Sequence, residues 1–156
     1  MKDFVREIYE KYKETFNDHL DIYDEPTDKS DSYVYEWYTV KTNKVFYVGK
    51  GAKDRYKHIL REIKTYEDNP RKYKGQRWKE LQDEYGIDCR IILDGLTDEE
   101  AQIMELYYIA KRIRERNPLL QFDIAWDSEL LNDEDYSYWE SVNYPPKGTS
   151  IIESFR

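Results

Sequence analysis

Between residues 33 and 49 the apolar pattern of this chain changes period, and that change limits the folds open to it. Residues 33–40 read "YVYEWYTV", residues 45–49 read "VFYVG", and "KTNK" lies between them. Such a pair predicts an antiparallel hairpin, because a two-residue period sends successive side chains to opposite faces and a short polar stretch suffices to turn the chain. Centred on Thr42 and Asn43, the hairpin pairs Trp37 with Tyr47 and leaves Tyr35 diagonal to Tyr47 on the same face, within reach of a long side chain.

On both sides of the hairpin the period is helical. Apolar residues recur at Phe4, Ile8, Tyr9, Tyr12, Phe16 and Leu20, the spacing of an amphipathic helix, and the acidic "DIYDEPTDKSDS" then reads as a loop. Gly49 and Gly51 end the second strand. The following "AKDRYKHILREIKTYE" predicts a helix with Tyr56, Ile59, Leu60 and Ile63 inward. A second basic helix comes after "DNP", with Trp78, Leu81 and Tyr85 inward and Gly86 as its C-cap. "IDCRIIL" is a third strand. Thr97 with Glu100 forms a capping box that opens a further helix, and Pro118 stops it just after Asn117. The acidic remainder, with aromatic punctuation and one short helix, reads as a packing tail. The expected fold is α/β: a small three-stranded antiparallel sheet flanked by helices, with an extra N-terminal helix and an acidic C-terminal tail.

Composition excludes several classes of chemistry. A chain of 156 residues can bury a real core, and no apolar run approaches the ~20 residues of a membrane-spanning helix. The opening "MKDFVREIYEKYKETF" interleaves charges where a signal peptide would be apolar, so a cytoplasmic location is expected. Cys89 stands alone, which rules out an intramolecular disulfide, and two histidines cannot build a Cys/His zinc cluster. Any metal would be held mainly by oxygen.

The net charge of −8 is unevenly spread: −5 over residues 1–43, +8 over 44–79 and −11 over 80–156. A basic block can attract phosphates even on an acidic protein, because salt screens distant charges over ~8–10 Å. Residues 33–58 combine seven Tyr, Phe or Trp rings with six Lys or Arg. Two phenols, Tyr35 and Tyr47, are thus followed closely by Lys50, Lys53, Arg55 and His58. Arg55, His58 and Glu62 share one helical face at i, i+3 and i+7.

The triplet "YVY" (33–35), followed by "YVGKG" (47–51) and Arg55 in the next helix, resembles the GIY-YIG endonucleases, in the branch whose second motif reads YVGKG. The likeness spans residues 33–117, and it implies a nuclease domain over 32–126, between an N-terminal helix and loop (1–31) and an acidic extension (127–156). It further implies a general base at Tyr35, with Tyr47 orienting water or phosphate and serving as the alternative base. Arg55 would grip the phosphate, and Lys50 would stand with it beside the phenols. His58 would assist proton transfer or bind phosphate. By the same resemblance Glu105 would hold one Mg²⁺ or Mn²⁺, with Asn117 twelve residues further on. Glu105 also meets an independent physical condition, since it lies among Ala101, Tyr108 and Ile109, where a carboxylate is costly unless paired or bound to a cation.

A phenol titrates near pH 10, so a phenolate base at neutral pH needs its pKa lowered by ~2–3 units, and Lys50 and Arg55 are expected to supply that. The implied partner is DNA, tracked by Lys53, Lys57, Lys64, Arg71, Lys72, Lys74, Arg77 and Lys79. The first triplet lacks the family's glycine and isoleucine, which leaves open a degenerate member that binds nucleic acid or a protein without cutting. The N-terminal helix could pair with a second copy. The acidic flanks could bind a protein partner or dock over the basic block and hold the enzyme off.

Overall fold

The computed structural model of the chain describes residues 2–14, 30–121 and 130–156. Strands β1 (Ser32–Thr39), β2 (Val45–Gly51) and β3 (Ile87–Leu96) form one antiparallel sheet in the order β2-β1-β3. Around it lie helices α1 (Lys2–Tyr12), α2 (His58–Asp68), α3 (Gln76–Tyr85), α4 (Asp98–Arg114) and α5 (Asp133–Asn143). The expected α/β architecture is therefore present. Among the described residues no helix is long and apolar enough to cross a membrane.

The hairpin takes the register that its sequence requires, from Tyr33 opposite Gly51 to Trp37 opposite Tyr47. A bulge then shifts the pairing so that Tyr38 meets Val45. The extra residue lets Phe46 and Tyr47, adjacent in sequence, both join the same apolar cluster.

The sheet separates two cores. On one side Val34, Val48 and Leu93 pack with Ala101, Met104 and Ile113 of α4 and with Val5 of α1. On the other, Tyr33, Tyr35, Trp37 and Phe46 pack with Ile59 and Ile63 of α2 and with Trp78 and Leu81 of α3. Burying each such large side chain contributes ~1.5–3 kcal/mol, which makes these two layers the main source of stability. Glu36 interrupts the apolar pattern of β1. It is 1% exposed, and its carboxylate is held by Arg112 Nε at 2.8 Å and Arg90 Nε at 2.7 Å.

Helix α1 lies on α4 of its own chain: Val5 is buried, Phe4 meets Tyr107 edge-on at 5.8 Å, and the Tyr9 hydroxyl donates to Glu99. That contact occupies part of the apolar face that the sequence left available for pairing with a second copy. Phe16, Leu20 and residues 21–29 of the predicted loop fall outside the described residues.

Helix α2 begins at His58, after a 3₁₀ turn over Arg55–Lys57. A turn of 3.0 rather than 3.6 residues shifts the phase of everything before it. Ile59 and Ile63 point inward, but Leu60 is 43% exposed, which corrects its predicted core position. Helix α3 buries Trp78, Leu81 and Tyr85 and ends at Gly86, whose φ of 70° suits glycine. The Thr97–Glu100 capping box opens α4 as the sequence predicts.

The C-terminal segment is part of the core. Helix α5 opens on a second capping box, Asn132 with Asp135, and Phe155 is fully buried against Phe46. The described part of the acidic extension, residues 130–156, therefore shares the hydrophobic cluster of the sheet.

Candidate functional site

Where β2 ends and the Arg55–Lys57 turn begins, a cavity of about 470 Å³ opens, lined by Tyr35, Tyr47, Gly49, Lys50, Gly51, Ala52, Arg55, His58 and Glu105. Strands β1 and β2, the turn into α2 with that helix's first residue, and the middle of α4 supply these groups.

Steric constraints in the hairpin place the first two groups. Gly49 lies opposite Tyr35, and a Cβ there would come within 2.6 Å of Tyr35 Cζ and Oη. The tyrosine ring thus lies across the glycine backbone. Gly51 does the same for the guanidinium arm, since a Cβ there would meet Arg55 Cβ and Cγ at 2.5 Å. The turn carrying Arg55 is tied to β1 by two aromatic side chains. Tyr33 donates its hydroxyl to the Lys53 carbonyl at 2.9 Å and accepts from Tyr56 N at 3.1 Å, and Trp37 Nε1 donates to the Tyr56 carbonyl at 2.9 Å.

Within the cavity the rings form one cluster. Tyr35 and Tyr47 stack with centroids 6.3 Å apart, and His58 lies 4.9 Å from Tyr47 and 6.0 Å from Tyr35. His58 Nε2 is buried without a hydrogen-bond partner among the described residues. On the other side of the ring, Nδ1 lies 4.0 Å from Glu62 Oε1. Glu62 also accepts from Trp78 Nε1 at 2.6 Å and lies 3.6 Å from Lys74 Nζ. Burial works to raise the Glu62 carboxyl, but His58, Trp78 and Lys74 together hold it below the usual carboxylate range.

The electrostatics differ from the sequence expectation. Burial is the largest influence on both phenols and pushes them up, Tyr47 to about 12 and Tyr35 well above the ordinary phenol range. Glu105 pushes both the same way, and Arg55 opposes it more weakly. Lys50 does not acidify them; its ammonium is paired with Asp98 at 3.0 Å. The expectation that Lys50 and Arg55 lower the phenols is thus corrected: desolvation outweighs the guanidinium.

Asn117 is not in the cavity. Its Oδ1 accepts from Val45 N at 3.0 Å, at the far end of β2 from Gly49. Gln121 repeats the contact further along, accepting from Val48 N and donating to the Val48 carbonyl, and Leu120 N donates to the Phe46 carbonyl. Residues 117–121 therefore cover the outer edge of β2, and Asn117 is an edge-sealing residue.

The eight predicted backbone-tracking cations divide. Lys53 and Lys57 are exposed beside the cavity, and Arg71 and Lys72 are exposed in the turn between α2 and α3; none of the four has an ion pair among the described residues. Lys74 is shared with Glu62, Lys64 faces Asp68, and Lys79 is held between Asp83 and Glu67. Arg77 lies over the Trp78 ring at 5.4 Å.

Tyr33 and Trp37, together with Glu62 and Trp78, are the positioning residues that motif spacing overlooks. The period-two alternation that puts Tyr33, Tyr35 and Trp37 on one face is the signal that would have found the first pair. Among the described residues no group of three or more His, Cys, Asp or Glu forms a metal cage. Glu105 is the carboxylate in the cavity lining. One carboxylate is what a hard cation uses when it keeps most of its water and takes its other ligands from phosphate, so this donor set fits Mg²⁺ or Mn²⁺. No family model, no curated protein and no solved structure matches this chain.

Proposed function

We propose that the cavity is the active site of a metal-dependent endonuclease that hydrolyses phosphodiester bonds in DNA, in the manner of the GIY-YIG enzymes the sequence resembles. The observation that carries this reading is convergence: two phenols, a guanidinium, an imidazole with an unpartnered nitrogen and a helix carboxylate line one cavity.

In this mechanism Arg55 binds the non-bridging oxygens of the scissile phosphate with its planar fork, and Lys53 and Lys57 hold the adjoining backbone. The phenolate form of Tyr35, with that of Tyr47 as the alternative, accepts the proton of the attacking water at Oη as the new oxygen–phosphorus bond forms. His58, whose ring lines the same cavity, delivers a proton to the departing oxygen as the old bond breaks. Glu105 would hold the divalent cation, which would supply positive charge to the site and offset the part of the upward shift of the two phenols that comes from the Glu105 carboxylate. Trp37 and Tyr33 keep the Arg55 turn in place throughout.

A second reading is a phosphate-binding protein that does not cut, and the upward shift of both phenols favours it. The deciding experiment is plasmid nicking by the intact protein with and without Mg²⁺. Nicks that require Mg²⁺ and vanish in Tyr35→Phe and in Glu105→Gln, with the thermal transition retained, support the nuclease. DNA binding without nicks at any divalent-ion concentration overturns it in favour of the second reading.

A further inference from the structure

The turn between α2 and α3 carries the sequence "NPRKYKG" (69–75), and its central ring is out of place in an ordinary solvated loop. Tyr73 is 74% exposed and its side chain makes no hydrogen bond or ring contact among the described residues, while Arg71, Lys72 and Lys74 around it are exposed as well. The turn is nevertheless held firmly. Asn69 accepts from Arg71 N through its side chain at 3.2 Å and from Lys72 N through its carbonyl at 2.9 Å. Gly75 is buried so close to α2 that a Cβ there would lie 2.1 Å from the Glu62 carbonyl oxygen. That contact fixes the turn beside the cavity, because Glu62 is the residue that bridges Lys74 and His58.

We propose that this turn receives an unpaired nucleotide next to the scissile phosphate, with Tyr73 stacking on its base and Arg71 and Lys72 on the flanking phosphates. The preferred substrate is then DNA with a single-stranded branch at the cleavage point. The physical reason is selective. Cations alone serve any phosphate backbone, and continuous duplex would need nothing more from this surface. An aromatic face has a partner only where a base has left its stack, and the ring is already presented by a rigid turn, so little ordering accompanies binding. This inference rests on the reading of the adjacent cavity as a phosphodiester site.

The test is equilibrium binding by fluorescence anisotropy, using the full chain without divalent cations and two labelled DNAs: a duplex, and the same duplex with a single-stranded branch. Stacking on one base corresponds to about a five- to 150-fold change in affinity. The branched DNA should therefore bind tighter than the duplex. Tyr73→Ala should remove that margin and leave the duplex affinity and the thermal transition unchanged, and Tyr73→Trp should keep it. Equal weakening of both DNAs by Tyr73→Ala, no effect on either, or no binding of either DNA to the intact protein overturns the proposal. Because no cleavage is measured, a Tyr73-dependent preference in a protein that never nicks would sink the nuclease reading alone, and nicking with no Tyr73 effect would sink this one alone.

Discussion

Replacing Gly49 by alanine tests the geometry on which the site depends. Gly49 does not occupy the left-handed region, so alanine brings no backbone strain, and the effect is confined to one added methyl. That carbon would lie 2.6 Å from Tyr35 Cζ and Oη. Ordinary contacts between non-bonded carbons are about 3.5–4.0 Å, so the ring must retreat by about 1 Å. Its other side is closed, since Tyr35 is 2% exposed and touches Tyr33 and Tyr47. Overpacking of this kind costs about 1–3 kcal/mol, and a displacement of about 1 Å in a reacting group lowers the rate about 10²-fold. In a nicking assay under saturating DNA, Gly49→Ala should lose about that much in kcat, with a modestly lower Tm. Repeated in a Tyr35→Phe background, the same substitution should cost little further activity, because the hydroxyl it displaces has gone. Wild-type kcat in Gly49→Ala, or losses that simply multiply in the double variant, would refute the argument. Gly95→Ala is the control. Its Cβ meets nothing within 4 Å but its φ is +65°, so it should lower stability and leave nicking intact.

Two further outcomes follow from the site. Asn117→Ala leaves Val45 N without its acceptor and should destabilise the fold by about 1–3 kcal/mol in denaturant titration, with an unchanged nicking rate; a collapse of kcat in a stably folded variant would return Asn117 to the catalytic set. The pH dependence follows from the raised phenols. With Tyr47 pushed up to about 12 and Tyr35 higher, the basic form is scarce at neutral pH and grows as pH rises. In a His58→Gln background, which removes the titrating acid, the nicking rate in Mg²⁺ should therefore climb about tenfold per unit from about pH 6 to about pH 8, and a flat profile there would exclude a phenol as the titrating base.

Local rules carried the sequence reading where local physics decides the structure. The hairpin register followed from alternation and a polar turn, and α4 from Thr97 and Glu100, because both depend on residues a few positions apart. Leu60 was misplaced because the buried face of α2 is narrow: Ile59 and Ile63, one turn apart, occupy it, and the apolar pattern does not mark how far round the helix the core reaches. Asn117 was misread for a different reason. Its partner, Val45, is far away in sequence, and only the packed fold brings the two together. The phenols illustrate the same limit, since counting nearby cations reveals Arg55 but not the burial that outweighs it.

The seal along β2 has a consequence for how the site opens. Val45 and Val48 amides bond to the side chains of Asn117 and Gln121, not to a fourth strand, so their release requires only that segment 117–121 lift away. In native-state hydrogen exchange these two amides should report local undocking at a free energy below that of global unfolding, while Tyr35 and Trp37 on the central strand report the whole domain. The strand that carries Tyr47 thus wears a removable strip on its outer edge, while its ladder with β1 keeps Tyr47 aligned with Tyr35 when the strip lifts.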